Sequence, residues 1–190
     1  MTETYELLVG VYRDVTAAKQ DYQAVKDRFF ETNAIGVFDA AVIGTQDSGK
    51  AKIFRKPELS TRHGALVGAG WGLATGLVVV LVPDAALGTG FLSDDGAANV
   101  GVEAIAGHVS AGMRRRDLKT LGEALDSAEA ALVIAAEPDL SAQAREVISR
   151  ADGIESADVC VDKAQLERDI RAAQREAGAS PRSWRTGGRP

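Results

Sequence analysis

The two histidines, His63 and His108, are the residues best suited to metal binding or acid–base chemistry, but their surroundings support neither. No cysteine or acidic residue stands at zinc-ligand spacing from them. Glu103 lies five positions before His108, and residues five apart do not share a helical face well, so a proton relay is not indicated. We therefore predict no metal site, no cofactor and no catalytic residue, and a protein that is not an enzyme.

The single cysteine, Cys160, is the other residue with reactive potential. It excludes an internal disulfide and fits a reducing compartment. Its run, Ala157 to Val161, is strand-like, so we expect a buried and inert thiol. The glycine-rich residues 64–70 lack the GK[ST] ending of a phosphate loop and do not directly follow a strand, so nucleotide binding is not predicted.

The overall charge of the chain limits its partners. The net charge of -5 argues against nucleic acid, because phosphate binding depends on clustered basic residues. One local cluster, Arg114, Arg115 and Arg116, has two interpretations that stay open. These arginines contact anionic lipid head groups, or they form a solvated helix start.

Four glycines spaced four residues apart mark the middle of the sequence: Gly64, Gly68, Gly72 and Gly76. On a helix of 3.6 residues per turn they form a flat stripe against which another helix can pack closely. Each glycine inside a helix costs about 1 kcal/mol relative to alanine, so the stripe needs close packing to offset that cost. We predict that this glycine zipper is the main functional surface.

The glycine helix and the segment after it are predicted to form a helical hairpin. Residues 64–83 carry no charge, and a helix of that length reaches about 30 Å, the thickness of a bilayer core. The second arm, Ala97 to Met113, offers Gly101 and Gly107 for packing but also carries charged and polar residues, which make it amphipathic. Two interpretations stay open: the hairpin associates with a membrane, or it forms the core of a soluble homo-oligomer.

Basic residues at one end of the hairpin predict where the rest of the chain lies. Arg62 and His63 precede the first arm, and Arg114 to Arg116 follow the second. Because positive charge favours the cytoplasmic side of a membrane, both flanking parts are predicted to be cytoplasmic. The acidic N-terminus predicts no secretory signal. The expected location is the cytoplasm, with attachment to the inner face of the cell membrane under the first interpretation.

The residues before the hairpin predict a β-α-β unit. Tyr5 to Tyr12 forms a buried strand, and Asp14 can cap the helix that follows. Phe38 to Ile43 forms a second strand, and a turn at residues 47–49 leads into Lys50 to Phe54. Five residues at helical spacing form the inner face of the helix: Val15, Ala18, Tyr22, Val25 and Phe29.

The same order of elements returns after the hairpin. Ala130 to Ala136 is a strand, and a helix starting near Asp139 or Ser141 ends with Gly153 as its C-terminal cap. Ala157 to Val161 is the closing strand. An amphipathic helix over residues 117–127 precedes this half, and a terminal helix over residues 163–177 follows it.

Two β-α-β halves predict an α+β fold: a ferredoxin-like sandwich split by a glycine-rich α-helical hairpin. Residues 1–56 form the first half with its hairpin strand, and residues 57–116 form the helical insertion. Residues 117–177 form the second half and the terminal helix. Residues 178–190 are rich in glycine, proline and arginine and predict a disordered tail.

From Tyr5 to Lys163 the pattern resembles the bacterial domain-of-unknown-function 1269 family. The likeness rests on the opening strand and helix, on Phe38 to Ile43 followed by Gly49-Lys50, on the glycine hairpin Gly64 to Gly112, and on Glu129 to Ile134. The resemblance implies a bacterial, ferredoxin-like protein with a glycine-rich hairpin, labelled a membrane protein and loosely linked to stress responses. It implies no catalytic or ligand-binding residue.

Together these patterns predict a non-enzymatic protein that self-associates through its hairpin, as a membrane-associated or soluble oligomer. The alternative is a regulatory ferredoxin-like module that binds a small ligand on its sheet face or in a dimer cleft, which rests on analogy of fold.

Overall fold

The computed structural model describes residues 2–31, 38–45, 51–55, 73–82, 97–162, 164–166 and 168–169. In chain order they form β1 (Thr2–Tyr12), α1 (Val15–Glu31), β2 (Phe38–Thr45), β3 (Ala51–Arg55), α2 (Leu73–Leu81), α3 (Ala97–Gly112), α4 (Arg115–Asp126), β4 (Ala130–Ala136), α5 (Pro138–Val147) and β5 (Gly153–Asp162). Residues 164–166 and 168–169 are helical and are called the C-terminal segment.

The strands form one antiparallel sheet in the order β3-β2-β4-β1-β5. In each of the two β-α-β stretches, the two strands are separated in the sheet by one other strand. β4 lies between β1 and β2, and β1 lies between β4 and β5. β3 extends the β2 edge as an antiparallel neighbour, as the turn signal at residues 47–49 predicted. The α+β class predicted from the sequence is confirmed.

Helices cover both faces of this sheet. Side chains of α1 and α5 share an apolar cluster with alternate strand residues such as Leu8, Val42 and Leu132. Side chains of α2, α3 and α4 share a second cluster with the intervening residues, including Leu7 and Val133. β4 is central and is buried at all seven positions, which explains why its sequence is a continuous apolar run rather than an alternating one.

The first helix begins where the sequence predicted. The Ala17 N–H donates to Asp14 Oδ1 at 2.9 Å, so Asp14 accepts from a first-turn donor that lacks a partner within the helix. Ala18, Tyr22, Val25 and Phe29 are buried, and Val15 packs against the same cluster. The predicted inner face of α1 is confirmed.

The prediction that Gly153 is the C-terminal cap of α5 is wrong. The helix starts at Pro138, with Glu137 as its N-cap, and ends at the C-cap residue Ile148, whereas Gly153 is the first residue of β5. Gly153 does not adopt the left-handed conformation of a glycine cap. The chain leaves α5 in an extended conformation at Ile148, and a buried carboxylate from α1, described below, then holds the next two residues.

Several predictions fall outside the described residues. These are the turn at residues 47–49, the first part of the glycine helix at 64–72, the connection at 83–96 and the tail at 178–190. Of the terminal helix predicted over residues 163–177, the structure describes the five helical residues of the C-terminal segment.

Candidate functional site: the packing of α3

Gly76 is the glycine of α2, and α3 packs closely against it. A Cβ atom added to Gly76 would lie 2.7 Å from Ile105 Cγ2 and 3.2 Å from both the Ile105 carbonyl carbon and Val109 Cγ2. Ile105 and Val109 are four apart on α3 and are stiff, β-branched side chains that cannot easily turn away. The absence of a side chain at Gly76 therefore lets the two helices make this contact.

The C-terminal end of α3 makes an even closer approach to the sheet. A Cβ atom added to Gly112 would collide with the backbone carbonyl oxygen of Cys160 on β5, and it would lie 3.1 Å from Val159 Cγ2. A backbone atom cannot move aside by changing rotamer. Gly112 was not among the predicted packing residues, and of the two α3 glycines whose surroundings are described, Gly107 and Gly112, it is the one that contacts the sheet.

Gly107 makes no close packing contact within the described part of the chain, and its predicted role in helix packing or oligomerisation stays a prediction. It is exposed, and an added Cβ would meet nothing within 4 Å. Over residues 105–112, the part of α3 whose burial is described, the buried positions are Ile105 and Val109, and Gly107 lies two residues from each, about 200° around the helix. Gly64, Gly68 and Gly72 lie outside the described residues, and for Gly101 the structure describes only its place in α3.

The third contact of α3 is polar. His108 Nε2 lies 2.9 Å from Asp169 Oδ2 in the C-terminal segment, with the two side chains 21% and 39% exposed. The Gln165 amide donates to both carboxylate oxygens of Asp169, at 2.9 and 3.1 Å. Hydrogen bonding to His108, followed by that to Gln165, lowers the pKa of Asp169. The sequence analysis compared His108 only with Glu103, five residues before it. Its partner Asp169 lies 61 residues away and was not predicted.

The lowered pKa of Asp169 predicts a pH-dependent effect of Asp169→Asn. A carboxyl with a lowered folded-state pKa stabilises the fold above its ordinary value of 3.8, and that stabilisation is lost as the pH falls through the folded value. We expect Asp169→Asn to lower the melting temperature at pH 7, and we expect this difference to shrink as the pH falls below 3.8 toward the lowered folded-state pKa of Asp169. Parallel thermal melts of both proteins from pH 7 to pH 2.5 measure the difference. A difference that stays constant over this range would exclude the carboxylate as its source.

The arginine cluster lies at the start of α4. Arg114 is the N-cap residue, and Arg115 and Arg116 are the first two helical residues. Arg114 Nε and Arg116 Nε donate to the two oxygens of Asp117, at 2.6 and 3.2 Å. The hydrogen bond from Arg114 is the main cause of the lowered pKa of Asp117. Two of the three charges are therefore partly compensated within the chain, while all three side chains stay exposed.

A fully buried carboxylate at Asp21 was missed by the sequence reasoning. It accepts hydrogen bonds from Tyr12 Oη at 3.1 Å, from the Ser149 and Arg150 backbone N–H groups at 3.2 and 2.9 Å, and from Arg150 Nη1 at 2.9 Å. Burial, with the nearby Asp21 carboxylate, raises the pKa of Tyr12. Asp21 lies between Ala18 and Val25 on the inner face of α1. Its place within that apolar stripe is the feature of the sequence that could have predicted its burial. The cluster connects α1 to the loop between α5 and β5.

The prediction that Cys160 is buried is wrong. Cys160 is exposed, with its sulfur 3.9 Å from Thr4 Oγ1. β5 is an edge strand whose residues Ala157, Val159 and Val161 point into the core, so alternate residues such as Cys160 point to the opposite, uncovered side. Among the described residues, no three histidine, cysteine or acidic side chains cluster so that they could hold a metal ion.

Comparisons of the chain with protein families, with curated proteins and with solved structures find no match. None of the helices in the described ranges combines the length and apolar character needed to cross a membrane.

Proposed function

We propose that the protein is a non-enzymatic component that self-associates through its apolar helices α2 and α3. The observation that carries this proposal is the distribution of exposure along α2. Its first residues, including Leu73 and Leu77, are buried on the sheet, whereas the four consecutive residues Val79 to Val82 are only partly buried. A run of apolar side chains left partly open at the end of a helix is a surface that association would cover.

The proposed architecture behind this function is a ferredoxin-like sandwich with an added helical layer. In this assignment β1-α1-β2 and β4-α5-β5 are the two halves, and the strand order β2-β4-β1-β5 with antiparallel pairing supports it. α2 and α3 would be the arms of the glycine-rich hairpin, with Gly76 at their contact. The likeness to the domain-of-unknown-function 1269 family, and the stress-related role that it implies, belong to the same proposal.

The proposal includes attachment to an anionic membrane from the cytoplasmic side as one form of association. Arg114, Arg115 and Arg116 are exposed and lie where α3 gives way to α4, so their charge lies at the C-terminal end of α3. Leu81 at the end of α2 lies 3.8 Å from the Cβ position of Gly122 on α4, which places the end of the apolar run against the helix that starts with these arginines. Basic residues near a membrane surface contribute about 1 kcal/mol each, and the bonds to Asp117 reduce this for two of them.

The alternative function, a module that binds a small ligand on its sheet face, would require a different surface. α1 and α5 cover one face of the sheet, and α2, α3 and α4 cover the other. A ligand on a covered part of either face would have to displace a helix, whereas the side of β5 that carries Asp158 and Cys160 is exposed and is the part of the sheet left open to a ligand.

The test is light scattering of the detergent-free protein over a range of concentrations, with flotation on vesicles. We expect a particle larger than the 19.9 kDa chain, and stronger binding to vesicles that contain anionic lipid than to neutral ones. Replacing Arg115 by glutamate should weaken the vesicle binding and leave the particle size unchanged. A strictly monomeric protein that binds neither kind of vesicle would contradict the proposal.

A further inference from the structure

The C-terminal segment packs against the same helical layer that the proposed function uses. Leu166 is 1% exposed and belongs to the apolar cluster that contains Leu77 of α2 and Ile105 and Val109 of α3. The segment is short, yet its one fully buried side chain lies in the core between the helices and the sheet.

Polar contacts fix this segment at both of its ends. At its start, the Gln165 backbone N–H donates to Asp162 Oδ1 at 3.0 Å, which joins the segment to the last residue of β5. Further along, Asp169 bonds to His108 at 2.9 Å, and Gln165 holds the same carboxylate in place. The segment therefore connects the edge strand of the sheet to α3.

α3 contacts both this segment and α2. Its residues Ile105 and Val109 contact Gly76 of α2, and its intervening residue His108 contacts Asp169. Gly112 at its end meets the backbone of β5. α3 thus contacts α2, β5 and the C-terminal segment. The C-terminal segment therefore helps to hold α3 in the place where α2 packs against it.

We propose that the C-terminal segment is an autoinhibitory clasp: through Leu166 and Asp169 it holds α3, and with it α2, on the sheet. Release of the clasp would expose more of α2 beside the partly open run Val79 to Val82, and a second copy of this chain then covers the enlarged surface. The second step rests on the self-association proposed above, whereas the first step does not.

The two contacts of the clasp differ in their expected strength. Removing most of a buried leucine side chain typically shifts an opening equilibrium roughly thirtyfold or more. The His108–Asp169 pair is partly exposed, so its loss is expected to shift the same equilibrium only roughly three- to tenfold. Leu166→Ala is therefore the stronger variant and Asp169→Asn the milder one.

The experiment compares the full chain with Leu166→Ala and Asp169→Asn, using Asp158→Asn as the matched control. Asp158 is an exposed carboxylate on β5 that points away from the core. Hydrogen exchange of the α2 and α3 amides measures docking, and light scattering measures association. Both clasp variants should exchange faster in α2 and α3, with unchanged exchange in β4, and both should form larger particles at lower protein concentration.

Exchange in α2 and α3 that matches the Asp158→Asn control in both variants would overturn the clasp. Faster exchange in a protein that remains monomeric at every concentration supports the clasp and overturns the proposed self-association. If Leu166→Ala fails to fold, Asp169→Asn decides between these outcomes, because it removes one partly exposed charge and leaves the core intact.

Discussion

Gly112→Ala is expected to destabilise the protein by about 2 kcal/mol or more, because the added methyl group collides with a backbone atom. The nearest atom is the carbonyl oxygen of Cys160, which is held within the β1–β5 ladder and cannot rotate away. Alanine favours helix over glycine by about 1 kcal/mol, so the packing cost must exceed that gain for the variant to be weaker. Equilibrium denaturation by urea, followed by far-UV circular dichroism, measures the change.

Gly107→Ala is the control, and it is expected to act in the opposite direction. Gly107 lies in the same helix but faces open space, so alanine there should stabilise the protein by up to about 1 kcal/mol. The opposite signs of the two substitutions separate close packing from helix propensity. Equal stabilisation by both would show that α3 does not rest on β5 at Gly112.

Asp21→Ala is expected to cost about 3 kcal/mol, which for a chain of this length lowers the melting temperature by about 10 °C. The substitution removes the acceptor of two backbone N–H groups, of the Tyr12 hydroxyl and of the Arg150 guanidinium. Because the carboxylate is fully buried and Tyr12 is nearly so, the hydroxyl that is left would have no easy access to water. Thermal and urea unfolding of the variant measure the loss.

Arg13→Ala provides the comparison for Asp21. Arg13 pairs with Asp152 in the same region of the fold, but its side chain is 88% exposed, and such surface pairs contribute about 0 to 1 kcal/mol. The large loss should therefore belong to Asp21 alone. A loss for Asp21→Ala as small as that for Arg13→Ala would contradict the role of the buried carboxylate as the link between α1 and the α5–β5 loop.

Local sequence patterns predicted much of the fold. The stripe on α1, the cap at Asp14 and the apolar run of β4 each depend on neighbours within a few residues, so spacing alone reveals them. Patterns of this kind do not depend on knowing which elements meet.

The candidate site was predicted less well, because its contacts join distant parts of the chain. Gly112 and Cys160, His108 and Asp169, and Asp21 and Arg150 are each brought together by the fold rather than by spacing. The flat stripe was predicted for Gly64 to Gly76, whereas Ile105 and Val109 mark the face that α3 buries. That face includes Gly112 and excludes Gly107. Likewise, the edge position of β5, which exposes Cys160, depends on a strand order that one strand's sequence does not contain.

The docking of α2 on α3 of the same chain is tested most directly by nuclear Overhauser contacts in a methyl-labelled sample. We expect a contact between the Gly76 α-protons and the Ile105 γ2-methyl group, since a Cβ at Gly76 would lie 2.7 Å from that carbon. In a mixture of differently labelled chains of the wild-type protein, this contact should stay within one chain. Its absence, or its appearance only between chains, would contradict the docked helical layer on which the proposed function and the clasp depend.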